Sequence, residues 1–242
     1  MSSFELVTYN QPRAFITESF RTLRANLQFF EVGDSLKAIL LAGGGFGEGT
    51  SFMTANLGVV FAQTGQKVIV VDCDLRKPQQ HLIFNVDNNS GLTNILLEFK
   101  EPEDVIKDLP IAGLKILTAG PPSANPTELL GKNKMRQLIA SLKEKADVIL
   151  LDAPPLAVVA DAAVLSKAVD GVLMVVRAMV ASHDSVVRTK EMLTNARARI
   201  LGVALNCARM NEAVENYQSH YANKEKIIKK ETEIKKKAPV KK

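Results

Sequence analysis

Six short apolar runs recur along the chain, at residues 38–41, 67–71, 114–117, 148–151, 171–176 and 200–205. Most are nearly continuous Val, Ile and Leu, the composition of strands buried on both faces of a parallel sheet. Between them the pattern becomes amphipathic or apolar helix, at residues 51–63, 126–145, 161–168 and 183–197. This alternation predicts a single α/β domain: a central, mostly parallel sheet with right-handed crossovers and helices on both faces. A further helix over about 14–30 precedes the first strand, with Glu18, Arg21 and Arg24 on one face at three-residue spacing. Taken alone, that row is either a solvated charged face or an interface. In such sheets the ligand sits outside the carboxyl ends of the strands, so chemistry is expected there.

The 242 residues, 46% hydrophobic and 24% charged, suit one globular domain with ample core. No run approaches eighteen consecutive apolar residues, and the N-terminus lacks a basic-then-apolar leader, so a cytoplasmic protein is expected. Cys73 and Cys207 form no metal-ligand or redox spacing. The net charge of +5 is uneven, because residues 223–242 hold nine lysines against three glutamates and the rest of the chain is close to neutral. Residues 1–222 therefore read as the domain and 223–242 as a flexible lysine-rich tail. That tail is either simply solvated or a contact for anionic lipid or an acidic partner. It contains no aromatic residue, which argues against a specific nucleic-acid partner.

Chemistry-bearing residues fall at the predicted strand ends. Gly44-Gly45-Phe46-Gly47-Glu48-Gly49-Thr50-Ser51 follows the first strand and opens a helix, as a Walker A phosphate-binding loop does. Such a loop cradles phosphate with its amides and holds Mg²⁺ with its final hydroxyl, here Ser51. The lysine that should reach the β- and γ-phosphates is replaced by Thr50, and no lysine or arginine occurs from Ala42 to Met53. Asp72 and Asp74 follow the second strand, and Asp152 ends the fourth in the manner of a Walker B carboxylate. Three such positions in order predict a P-loop NTPase-like fold with an ATP/ADP and Mg²⁺ site.

The motifs Glu18-Ser19-Phe20-Arg21-Thr22-Leu23-Arg24-Ala25-Asn26-Leu27, Gly47-Glu48-Gly49, Asp72-x-Asp74-x-Arg76-x-Pro78, Asn125-Pro126-x-Glu128-Leu129-Leu130 and Asp152-Ala153-Pro154-Pro155 occur together. As a set, over about residues 12–210, they resemble the bacterial tyrosine kinases (BY-kinases) of capsule and exopolysaccharide synthesis. The resemblance implies Asp72 as general base toward a tyrosine hydroxyl, with Asp74 and Asp152 as further catalytic acids. It implies Ser51, Asp74 and Asp152 around Mg²⁺. Gly45, Gly47, Glu48, Gly49, Thr50, Ser51, Phe52 and Arg76 would line the nucleotide, and Asn206 would contact adenine. Glu18, Arg21 and Arg24 would join subunits into a homo-oligomeric ring, bound peripherally to the inner membrane through a polysaccharide co-polymerase.

Two departures bear on activity. Thr50 removes a cation, and Phe52 stands where a small phosphate-binding hydroxyl is expected. Tail tyrosines, the usual acceptors, number only two, Tyr217 and Tyr221, which are either acceptors or ordinary aromatics of a C-terminal helix. Losing one fixed cation should raise the transfer barrier by several kcal/mol, roughly 10³-fold in rate. The expectation is a pseudokinase or strongly impaired autokinase. The alternatives are an active kinase with a substitute cation from Arg76, Lys77 or a neighbouring subunit, and a partitioning-type ATPase. The last would use a lysine at Gly45.

Overall fold

The computed structural model describes residues 6–31 and 36–209. Seven strands make one sheet: β1 (Ala38–Gly43), β2 (Val68–Asp72), β3 (Lys107–Asp108), β4 (Leu114–Leu117), β5 (Val148–Asp152), β6 (Gly171–Arg177) and β7 (Ile200–Asn206). Their order is β3-β4-β2-β5-β1-β6-β7. Every pairing is parallel except the two-residue β3 against β4. The six expected strands are present, most of them extended by a residue or two at their carboxyl ends, where the chemistry-bearing residues lie.

The helices are α1 (Val7–Asn10), α2 (Phe15–Gln28), α3 (Thr50–Ala62), α4 (Gln80–Ile83), α5 (Leu92–Leu96), α6 (Pro102–Val105), α7 (Pro126–Gly131), α8 (Asn133–Lys145), α9 (Asp161–Leu165) and α10 (His183–Asn195). The helix expected over 126–145 is broken at Lys132, whose extended backbone (ψ 152°) ends α7 and starts α8. Gly131 just before it supports helix poorly.

Alternate strand residues feed two cores, as period-2 side-chain geometry requires. Ile39, Leu41, Val70, Leu150 and Leu173 pack with Phe20 of α2 and Leu57, Val60 and Phe61 of α3. Leu40, Val71, Leu151 and Met174 face the other way, against Leu138 and Leu142 of α8, Leu165 of α9 and Leu193 of α10. The result is a three-layer α/β/α sandwich, as the alternating pattern predicted. Helix α3 approaches the sheet closely at Gly58, where a Cβ would stand 2.8 Å from the Val70 side chain. That close seat fixes the loop joining β1 to α3. The described residues up to Cys207 form one compact unit; Tyr217, Tyr221 and the lysine tail lie outside the described residues. Among the described residues no helix is long and apolar enough to cross a membrane.

Candidate functional site

The β1–α3 loop is shaped by two left-handed glycines, Gly47 (φ 74°) and Gly49 (φ 87°), a region that side-chain-bearing residues rarely adopt. Glu48 folds back into the loop and is almost fully buried. Its two carboxylate oxygens accept from the amides of Gly44 at 2.8 Å and Gly45 at 3.1 Å, stapling the loop's first limb to its last. Among the described residues, no group accepts from the amides of Gly47, Glu48, Gly49, Thr50 or Ser51. With the free N-terminal turn of α3 they form a nest of open donors, a geometry suited to an anion.

Two strand tips grip the same loop from the far side. Arg177, the last residue of β6, donates from Nη1 to the Gly47 carbonyl at 3.0 Å. Asn206, its register partner on β7, donates to the Glu48 carbonyl at 2.9 Å. Sequence reasoning missed Arg177; an arginine closing an apolar strand is the only trace it leaves. Asn206, expected against adenine, here braces the loop, and its side-chain oxygen accepts from the Cys207 amide at 2.9 Å. A cation on the Gly47 carbonyl supports the loop from outside the amide cradle's own hydrogen bonds.

Asp72 and Asp152 are paired across β2 and β5, both with fully buried carboxyls. Asp72 accepts from three backbone amides, Asp74 at 3.2 Å, Gln79 at 3.0 Å and Gln80 at 2.9 Å. Asp72, implied as the general base toward a tyrosine hydroxyl, is here enclosed by the 73–80 turn that supplies those amides. Burial first, then the neighbouring Asp152 charge, raises the Asp72 pKa well above the carboxylate range. Burial likewise pushes Asp152 up to about 7, opposed by hydrogen bonds from Ser51 and Gln80. Cys73, between the two acids in sequence, is fully buried, and burial plus their charges push its thiol up, so it is unsuited to thiolate chemistry.

The expected metal set is partly assembled. Ser51 stands beside Asp152, while half-buried Asp74 spends one oxygen on the amides of Arg76 (3.1 Å) and Lys77 (2.9 Å). The described residues hold no cluster of three His, Cys, Asp or Glu side chains placed to ligate a metal. One hydroxyl and one or two carboxylates nevertheless suit Mg²⁺, which keeps several waters and takes further oxygens from substrate phosphates. A second observation fits the ion: Asp152 Oδ1 and Gln80 Oε1 are buried acceptors with no hydrogen-bond donor.

Two further expected site residues make other contacts in this structure. Arg76 does not reach toward the loop: its Nε donates to Asp161 at 3.0 Å and its Nη2 to Thr127 at 3.0 Å. Asp161 is fully buried and also accepts from Thr127, so the arginine is held between α7 and α9. Phe52 is not turned to the phosphate side. Its ring packs edge-on against Phe20 of α2, centroids 5.9 Å apart, and joins the core there. On α2, exposed Glu18 and half-buried Arg21 pair with each other, and Arg24 has a buried, unpartnered Nε.

A glycine-shaped loop of open amides after β1, a serine beside a β5 aspartate and an acidic β2 tip have the layout of a P-loop NTPase. The ParA family model, described as NUBPL iron-transfer P-loop NTPase, matches residues 35–238. The tyrosine-protein kinase YwqD of Bacillus subtilis is 32% identical over 225 residues, 93% of this chain and 94% of YwqD. The kinase domain of Escherichia coli tyrosine kinase ETK superposes with a TM-score of 0.80 at 30% identity, covering 85% of this chain and 82% of that domain. More remote is the septum site-determining protein MinD of Pyrococcus horikoshii, complexed with Mg-ADP, at TM-score 0.62 and 26% identity over 74% of this chain and 76% of MinD. The chain belongs to the bacterial tyrosine-protein kinase family, within the ParA-type P-loop NTPases.

Proposed function

We propose that this chain is a kinase-fold regulator of capsule or exopolysaccharide assembly that binds Mg²⁺-nucleotide and transfers phosphoryl groups poorly or not at all. The observation that carries this reading is Thr50 in the lysine position of an otherwise intact nest. Ser51, Asp74, Asp152 and the open amides are retained to hold nucleotide and metal; Mg²⁺ bound there would supply charge neutralisation on the phosphates. The chain's own residues do the rest. Loop amides orient the phosphates, Glu48, Arg177 and Asn206 hold the loop, and Asp72 would take the tyrosine proton once its turn opens. Charge spread over the transferred group then meets no fixed cation from the loop, and its stabilisation is the main part of phosphoryl-transfer catalysis.

We assign the chain, as a partner, an inner-membrane polysaccharide co-polymerase, the partner that the resemblance to the capsule and exopolysaccharide kinases implies. The protein would sit at its cytoplasmic side as a homo-oligomeric ring joined through Glu18, Arg21 and Arg24, with the lysine tail on anionic lipid. Titration with Mg-ATP tests the site: measurable but weak binding is expected for the wild type, tightened at least about tenfold by Thr50→Lys. No binding by either protein would refute a nucleotide site.

The MinD likeness favours a second reading, a positioning ATPase that dimerises on nucleotide. Gly45, where that class places its extra lysine, instead gives its amide to Glu48. Nucleotide-driven dimerisation in sedimentation experiments would support this reading over the first.

A further inference from the structure

Gln80 lies in no motif, yet its side chain ties three motifs together. It is fully buried at the start of α4. Its Nε2 donates to Asp152 Oδ2 at 2.8 Å and to the Ser51 carbonyl at 3.0 Å. Its backbone amide donates to Asp72 Oδ2 at 2.9 Å. Both Nε2 partners are acceptors, which fixes the carboxamide's orientation and leaves Oε1 as the free end. That oxygen is buried without a donor, and so is Asp152 Oδ1. Buried polar groups are normally satisfied, and two bare acceptors in one acidic site call for a species that brings protons or positive charge.

We propose that Gln80 is a positioning residue of the metal site. Its nitrogen fixes Asp152 on one oxygen, leaving Oδ1 for the metal side. Its oxygen, with Asp152 Oδ1, accepts from the hydration shell of Mg²⁺ arriving with nucleotide. An outer layer of this kind orients metal ligands and tunes affinity. A leucine or methionine would fill the same volume in a core, so the carboxamide, buried beside two acids, answers to the ion rather than to packing. The link to the Ser51 carbonyl also ties the Mg²⁺ hydroxyl's residue to the Asp72 turn. The inference rests on the nucleotide-site reading above.

The test is the gain in ADP affinity produced by Mg²⁺ over EDTA, measured by titration calorimetry on the full chain and on Gln80→Met, which keeps the volume and loses the polar ends. The expected result is a Mg²⁺ gain about ten- to a hundredfold smaller in the variant, the loss typical of a hydrogen bond to a charged group, with affinity in EDTA within about twofold. An unchanged Mg²⁺ gain overturns the proposal and leaves the nucleotide site standing. An equal loss with and without metal also overturns it, assigning Gln80 to loop support alone. A wild type that binds no nucleotide in either condition overturns both. Should the variant not fold, the side-chain amide resonance of Gln80 in wild-type protein decides. It should move when Mg²⁺ is added to the ADP-saturated, metal-free complex, and a resonance that stays in place overturns the proposal.

Discussion

Asp72 and Asp152 face each other in register on adjacent parallel strands, both fully buried and, among the described residues, without an opposing cation in contact. Their raised pKa values make the metal-free protein sensitive to pH. An acid whose folded pKa is raised contributes stability that is fully present below its unfolded value and lost as pH rises through its folded value. For Asp152 the window runs from 3.8 to about 7. Urea denaturation without nucleotide should therefore show stability falling across that window, on the order of a few kcal/mol. Asp152→Asn should flatten the slope and be the more stable protein at about pH 8. A slope unchanged by that substitution would contradict the assignment.

Mg-ADP should reverse this trend, since a cation favours the ionised pair. The rise in melting temperature on adding Mg-ADP is expected to be larger at about pH 8 than at about pH 6. Equal rises at both would show that the pair does not sense the bound ion.

Arg177→Ala removes the donor to the Gly47 carbonyl while touching no core contact. Unfolding free energy should change by less than about 0.5 kcal/mol, as for other surface substitutions. ADP affinity should fall about three- to tenfold, the scale of one lost hydrogen bond that preorganises the loop. Arg76→Ala should behave differently, because it leaves buried Asp161 without its ion pair. Its main effect is a loss of stability of about 3 kcal/mol or less, the pair being partly exposed. Calorimetric titration and denaturation of the two variants separate these roles.

Phe52→Thr restores the small hydroxyl expected beside a phosphate. Since the Phe52 ring packs on Phe20, the substitution should destabilise by about 1–2 kcal/mol and leave ADP affinity within about twofold. A large gain in affinity would place position 52 at the phosphate after all.

Much of this architecture was legible because buried parallel strands are written as uninterrupted apolar runs, and their acidic or glycine-rich tips follow directly in sequence. The Asp72, Asp152 and Ser51 positions needed only that local pattern. Arg177 needed tertiary knowledge: it meets Gly47 across 130 residues, and only the strand order places β6 beside β1. Gln80 was illegible for another reason, since a lone glutamine after Pro78 and Gln79 reads as surface turn. Strand β3 is two polar residues, Lys107 and Asp108, with no apolar signal at all. Phe52 and Arg76 were placed at the site by motif position, but a side chain's direction is set by its neighbours: Phe20 for one, Asp161 for the other.

Thr50, we propose, silences transfer while the surrounding site persists, and phosphotyrosine formation with Mg-ATP in the wild type, Thr50→Lys and Asp72→Ala tests this most directly. The predicted result is wild-type labelling no greater than that of Asp72→Ala, with a clear gain in Thr50→Lys. Strong labelling of the unmodified protein, abolished by Asp72→Ala, would contradict it.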